Sequence, residues 1–346
     1  MFWDIFLAVL FLIIGFIMLS KGADWFVDGA AGLAEKLRIP TLVIGLTIVS
    51  FGTTAPELST SIISALQGNV GVAVGNALGS NLCNILLILG LSAVLAPVPA
   101  KKESRTLAIP VLLIASVLVI LFGSLNDQID RWEGIFLLVF MIAYTTFLIV
   151  NAFKNRPTEE DLPLETPEFT PELDEEENLK GFDGWRQKMK KYTWFLVVST
   201  LVGLVVVVGG AMLAVEGATT IAEALQINQK IIGLTVVAIG TSLPELITST
   251  TAARKGETDI AIGNIVGACT INLLLVLGAS STITPLPFSS QGVSFMTDGF
   301  IALAAAGLLA LLCYLPSHTI KRWGGVIMLL GFVAYYVYLF IPILFA

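Results

Sequence analysis

The stretch whose reading decides the fold is VSFGTTAPELSTS, Val49 to Ser61. It lies inside a long apolar run, yet it carries a proline, a glutamate and six hydroxyl side chains. Pro56 has no N–H, and its ring pushes away the carbonyl one turn back, near Gly52. A carboxylate in such a run is costly, so Glu57 needs a purpose. The chain uses the same device again in VAIGTSLPELITS, Val237 to Ser249, where Pro244 and Glu245 follow Gly240.

Around these stretches the chain is apolar almost throughout. Of its 346 residues, 56% are hydrophobic and 13% charged, against about 25% charged in a soluble domain. Apolar runs of spanning length fall near 3–31, 41–67, 70–95, 105–124, 131–153, 193–224, 230–253, 258–283, 295–315 and 321–345. The N-terminus, MFWDIFLAVLFLIIGFIMLSKGADW, lacks a basic leader and a small-residue cleavage site, so it reads as a retained first span. The expected fold is therefore an all-α membrane protein of ten transmembrane helices. Residues 154–192 separate two groups of five; they are acidic and proline-rich, as in NRPTEEDLPLETPEFTPELDEEENLKGF, and read as a solvated linker. Most of the net charge of −7 resides there. Cys83, Cys269 and Cys313 have no metal-ligand spacing and read as packing residues. His318 sits in a short polar turn and is expected to be solvated.

The two groups repeat. Glu57 and Glu245 are 188 positions apart, and the same offset superimposes IGLT at 44–47 on IGLT at 232–235. It also superimposes GNALGSNLCNILLILG at 75–90 on GNIVGACTINLLLVLG at 263–278. Five spans is an odd number, so the second group must enter the membrane from the opposite side. Residues 1–153 and 193–346 are thus expected to form two inverted-topology five-helix repeats with broken helices at the midplane, the plan of many secondary transporters. Lys and Arg gather in the odd-numbered connections: Lys36 and Arg38; Lys101, Lys102 and Arg105; the central stretch; Arg254 and Lys255; Lys321 and Arg322. By the positive-inside rule those connections, including the central loop, are cytoplasmic and both termini lie outside.

Inverted symmetry would bring Glu57 and Glu245 together. Alone, two facing carboxylates repel; a divalent cation between them removes the penalty. Carboxylates, the hydroxyls of Thr53, Thr54, Thr241 and Ser242, and freed carbonyls are hard oxygen ligands that suit calcium or sodium. The second pair of repeated stretches adds Asn76, Ser80, Asn81 and Asn84 from one half and Asn264, Thr270 and Asn272 from the other, with Asn84 and Asn272 at matching positions. Proline kinks and small residues also serve helix packing alone, but a glutamate beside each kink at one common offset argues for a cation cage. Asp24 and Asp28 are weaker signals, expected to pair with Lys21 or to face a helix interface.

GTTAPE, GTSLPE and the two GN…G…N stretches resemble the alpha repeats of sodium/calcium exchangers of the prokaryotic type, in the calcium/cation antiporter superfamily. The resemblance covers nearly the whole chain. It implies that Glu57 and Glu245 are central carboxylates shared by calcium and sodium. It further implies oxygens from Thr53, Thr54, Thr241 and Ser242, backbone carbonyls of Ser50 and Ala238 for sodium, and ligand positions at Ser80 and Asn84. Two departures stand out: Ala268 where many members have serine, and Asn272 where some have aspartate, which leaves two carboxylates rather than three. In the family, spans 1 and 6 slide as a pair against a fixed core.

The expectation is a sodium/calcium antiporter of the cell (inner) membrane that exports calcium by alternating access, with a proton/calcium antiporter of the same superfamily as the alternative. A passive cation channel is disfavoured by the repeated broken helices. No enzyme is expected: the spans lack a protease-like pair of aspartates or a serine–histidine pair, and no G-x-x-x-x-G-K-[ST] loop provides for ATP. The expected partners are calcium ions, sodium ions and the lipid bilayer, with no cofactor, no nucleic acid, and a monomer sufficient for function.

Overall fold

The structure, a computed structural model, describes residues 2–154, 189, 192–224, 238–290 and 293–344. Most of the expected linker 154–192, and residues 230–237 of the span expected over 230–253, lie outside the described residues. In chain order the helices are α1 (Phe2–Leu37), α2 (Thr41–Thr53), α3 (Ala55–Leu66), α4 (Val70–Leu95), α5 (Ser104–Leu125), α6 (Arg131–Lys154), α7 (Thr193–Ala224), α8 (Ala238–Thr241), α9 (Leu243–Arg254), α10 (Thr258–Ile283), α11 (Phe295–Tyr314) and α12 (Arg322–Leu344). Among the described residues eight helices are long and apolar enough to cross a membrane, and α2 with α3, bent by 47°, makes a ninth span. The chain is an integral, multi-pass, helical membrane protein.

Burial is arranged inside out. Large apolar side chains such as Phe16, Ile142, Val139, Leu330 and Val333 are exposed on the outer helices, where lipid is the solvent. The interior holds fully enclosed polar residues, among them Ser50, Thr53, Glu57, Ser242, Glu245, Asn264 and Asn272. α10 lies at the centre, with 94% of its most apolar stretch buried, followed by α4 with 72%; α1 and α12 reach only 22%. α10 crosses α2 at a glycine contact: a Cβ on Gly263 would fall 2.8 Å from the Leu42 carbonyl oxygen and 3.0 Å from Gly45 Cα. Single π-helical turns at Gly45–Val49, Cys83–Leu89 and Asn272–Val276 widen α2, α4 and α10; such turns tend to accompany functional sites.

α1 is longer than the expected span 3–31. Its 36 residues extend about 54 Å at 1.5 Å per residue, well beyond the ~30 Å of bilayer hydrocarbon. Its polar second half stays helical because it leans on α7. Glycines recur every seven residues on both helices, at Gly15, Gly22 and Gly29 and at Gly203, Gly210 and Gly217, and a seven-residue repeat keeps one face toward a partner. The backbones touch along this seam: a Cβ on Gly203 would lie 2.5 Å from Phe26 N, and one on Gly15 2.7 Å from the Gly210 carbonyl oxygen.

Short antiparallel ribbons tie the connecting loops. β1 (Val98–Pro99) pairs with β6 (Thr319–Ile320), β2 (Gln128–Ile129) with β3 (Leu286–Pro287), and β4 (Ser289–Ser290) with β5 (Val293–Ser294). The first two ribbons each join residues from opposite halves of the sequence.

Candidate functional site

The site is built where two helices break. α2 stops at Thr53 and α3 begins at Ala55; the intervening Thr54 has φ −81° and ψ 1°. On the other side α8 stops at Thr241, α9 begins at Leu243, and Ser242 has φ −90° and ψ 6°. In both, the proline occupies the first turn of the new helix, where its missing N–H costs least, and the glutamate follows it in the same turn. A carboxylate there meets the positive end of the helix dipole. The expected bare carbonyl near Gly52 is not found. The N–H groups that close α2 go to the carbonyls of Ser50 and Gly52, in a tightened last turn.

Thr54 and Ser242 hold the positions from which Thr and Ser ordinarily cap a helix, but neither caps its own. Each instead reaches across. Thr54 Oγ1 donates to Glu245 Oε1 at 3.2 Å, and Ser242 Oγ donates to Glu57 Oε1 at 3.4 Å. Both glutamates are fully buried, and the second oxygen of each, Oε2, has no hydrogen-bond partner. Thr54→Val would leave Glu245 Oε1 buried without its donor, a loss of about 1–3 kcal/mol. The expected result is a lower melting temperature for the purified protein, restored by Thr54→Ser; equal melting of the valine variant and the native chain would contradict the contact.

α4 and α10 close the centre. Asn76 Nδ2 donates to Ser61 Oγ at 2.9 Å and to the Glu57 carbonyl at 3.1 Å, and Asn264 Nδ2 donates to Ser249 Oγ at 2.9 Å. The two asparagine–serine bonds are the same bond, 188 positions apart. Asn264 Oδ1 accepts from Thr53 Oγ1 at 3.1 Å. Ser80, Asn84 and Asn272 are buried; neither amide atom of Asn84 has a partner, nor does Asn272 Oδ1. Ser50 is enclosed, and its carbonyl accepts the Thr54 N–H at 2.9 Å. Thr241 is half-buried, and Ala238 opens α8. All the expected site residues therefore lie on the two breaks or on the stretches of α4 and α10 that flank them. No group of three or more His, Cys, Asp or Glu side chains placed to hold a metal occurs among the described residues.

Asn81 and Cys269 do more than line and pack the centre. Asn81 Nδ2 donates to the Cys269 carbonyl at 3.2 Å, Cys269 Sγ approaches the Asn81 carbonyl at 3.9 Å, and Asn81 Oδ1 accepts from Asn272 Nδ2 at 3.1 Å. Cys269 is free and buried, as packing predicts, but its backbone anchors a polar chain. The available signal was position: Asn81 and Cys269 are themselves 188 apart, so each is the other's counterpart.

These features meet in one known family. A model of the sodium/calcium exchanger protein family matches residues 7–150 and 195–341. This chain belongs to the sodium/calcium exchanger family. It is 36% identical to the putative antiporter CaxA of Alkalimonas amylolytica over 96% of this chain and 98% of that protein. It is 33% identical to the sodium/calcium exchanger MaX1 of Methanosarcina acetivorans, again over 96% and 98%. A solved structure of the sodium–calcium exchanger NCX_Mj, soaked with sodium and calcium, superimposes with a TM-score of 0.78 at 30% identity, covering 96% of this chain and 98% of that one. Membership makes the chain a cation/calcium antiporter of a membrane.

Charged residues away from the centre tie helix ends together. Lys255 Nζ lies 2.8 Å from Asp28 Oδ1 and 3.0 Å from Asp24 Oδ1, joining the end of α9 to α1. Lys101 Nζ lies 2.5 Å from Asp259 Oδ2, which also accepts from Thr41 Oγ1 at 3.1 Å. Between them, burial pushes the Glu257 carboxyl above its ordinary range, and the carboxylates of Asp259 and Asp28 add to the effect. His318 is exposed, with Nε2 3.2 Å from Arg105 Nη1.

Proposed function

We propose that the chain exchanges sodium for calcium, exporting calcium by alternating access, and that one oxygen cage binds either ion. The observation that carries this reading is the crossed pairing of Thr54 with Glu245 and Ser242 with Glu57, which leaves two fully buried carboxylate oxygens without a donor. Buried oxygens of this kind are stable beside a cation. Calcium takes six to eight oxygens, and the proposed set of eleven residues has enough for calcium and for sodium in turn: Glu57 and Glu245 shared by both, hydroxyl or backbone oxygens of Thr53, Thr54, Thr241 and Ser242, the Ser80 hydroxyl and the amide oxygens of Asn84 and Asn272, with the carbonyls of Ser50 and Ala238 serving sodium. Calcium and sodium share the same carboxylates, so occupancy by one excludes full occupancy by the other, and this exclusion couples the two fluxes.

The architecture proposed with it has ten spans in two inverted repeats, 1–153 and 193–346, joined by a cytoplasmic linker, with both termini outside and a monomer sufficient. The matched bonds at the 188 offset support the repeat, as do the ribbons β1–β6 and β2–β3. α1 and α7, joined by the glycine seam, are the proposed moving pair. The linker's composition gives it no core to bury, so deletion of 158–178 is expected to leave calcium exchange intact; loss of exchange in a normally inserted protein would show that the segment gates or senses. The test of the ion assignment is calcium uptake into proteoliposomes. Sodium-loaded vesicles in sodium-free medium are expected to accumulate calcium, and sodium-free vesicles given only a pH gradient are not. Uptake driven by the pH gradient alone would replace sodium with protons.

A further inference from the structure

The two asparagines of the centre, Asn84 and Asn272, stand at matching positions of the two halves, but their surroundings differ. We infer that Asn81 is a positioning residue: it locks the Asn272 amide with its carbonyl oxygen turned toward the cation, whereas Asn84 has no such amide partner and meets only the Cys269 thiol. The inference rests on the cation cage proposed above and deepens it, since it makes one of the two amides a fixed oxygen ligand.

The orientation follows from hydrogen-bond chemistry, starting at a peptide group. A backbone carbonyl only accepts, and an amide side chain offers one accepting oxygen and one donating NH₂. The Cys269 carbonyl lies 3.2 Å from the Asn81 amide, so Asn81 must present Nδ2 to it. That leaves Asn81 Oδ1 facing Asn272 at 3.1 Å. An oxygen there requires a donor, so Asn272 must present Nδ2. Its Oδ1 is then directed elsewhere, and it is a buried atom with no protein partner. A reversed Asn272 would set two acceptors against each other at Asn81 and turn an NH₂ toward the centre, where it would repel a cation. The link is itself held at both ends, because Cys269 Sγ approaches the Asn81 carbonyl at 3.9 Å.

The repeat supplies this lock once. The counterpart of Asn81 in the second half is Cys269, which meets the Asn84 side chain with a thiol, a weak partner, and Asn84 makes no hydrogen bond of ordinary geometry. The cage is therefore asymmetric: Asn272 is a preorganised ligand that spends no freedom on binding, and Asn84 is held by the weaker thiol contact alone.

The test compares the effect of Asn81→Ala in two backgrounds, reading calcium dependence of uptake into sodium-loaded proteoliposomes. In the native background, release of the Asn272 amide is expected to raise the half-saturating calcium concentration roughly tenfold, the scale of one oriented hydrogen bond to a charged site, with a smaller change in maximal rate. In the Asn272→Asp background a carboxylate presents an oxygen whichever way it turns, and that oxygen faces Asn81 Oδ1. There Asn81→Ala is expected to leave half-saturation unchanged or to lower it. A role in packing alone would weaken both backgrounds alike, and that outcome overturns the assignment. Should Asn81→Ala not yield folded protein, Asn81→Ser, which cannot span both the Cys269 carbonyl and Asn272 Nδ2, carries the same expectation in both backgrounds and is overturned by the same result. Absence of sodium-driven uptake by the native chain would instead overturn the cage itself, so the two failures are distinguishable.

Discussion

Glu57→Gln and Glu245→Gln are each expected to abolish calcium uptake while the protein still inserts and purifies. Each glutamate is fully buried, and each offers one oxygen to a hydroxyl from the opposite break and one to no protein donor. Glutamine keeps the size and the accepting oxygen but removes the charge and turns an NH₂ toward the centre. Breaking a buried charge pair costs about 3–5 kcal/mol, and a factor of ten corresponds to about 1.4 kcal/mol, so the loss is expected to be at least roughly 100-fold. The variants are also expected to fold, since the cross-contacts through Thr54 and Ser242 survive with a neutral acceptor. Uptake at the native rate in either variant would remove that glutamate from the cage.

The second large effect concerns the seam between α1 and α7. Gly203→Ala places a methyl 2.5 Å from Phe26 N and 2.8 Å from Phe26 Cα, both backbone atoms that cannot rotate away. Gly209→Ala, six positions on, meets only the flexible end of Met18 at 3.3 Å. Overpacking costs about 1–3 kcal/mol and more where backbone must shift. Gly203→Ala is therefore expected to lower the melting temperature of the purified protein by several degrees, on a scale of about 2–4 °C per kcal/mol. Gly209→Ala is expected to melt with the native chain. Equal melting of the two variants would mean that the helices do not touch at Gly203.

The parts of the molecule legible in its sequence are those written as repetition or as a cost. The Pro-Glu pairs at 56–57 and 244–245 announce themselves because both residues are expensive in a spanning helix, and the offset of 188 says that the two breaks belong together. The crossed bonds from Thr54 and Ser242 realise that relation. Less legible is whatever depends on which face meets which. The carbonyl of Gly52, expected to be bare, is absorbed by a tightened turn, because a proline break can be repaired locally by N–H groups that no sequence pattern reports. The heptad of glycines in α1 and α7 is plain in retrospect, but a small residue in an apolar helix does not name its neighbour. Asp24 and Asp28 meet Lys255, 231 and 227 positions away, a partner that local spacing could not supply. Asn81 looked like one of several lining amides; its hold on Asn272 runs through the backbone of Cys269, and side-chain chemistry alone gave that cysteine no polar role.

The central claim is that one buried site takes calcium or sodium but not both. Equilibrium binding of radioactive calcium to the purified protein, repeated at rising sodium with ionic strength held constant by choline, tests it most directly. The account predicts that sodium shifts the calcium curve to higher concentration while the amount bound at saturation stays the same, and that Glu57→Gln and Glu245→Gln bind calcium in neither condition. Sodium that lowers the saturating amount without shifting the curve, or that leaves calcium binding unchanged, would contradict a shared cage.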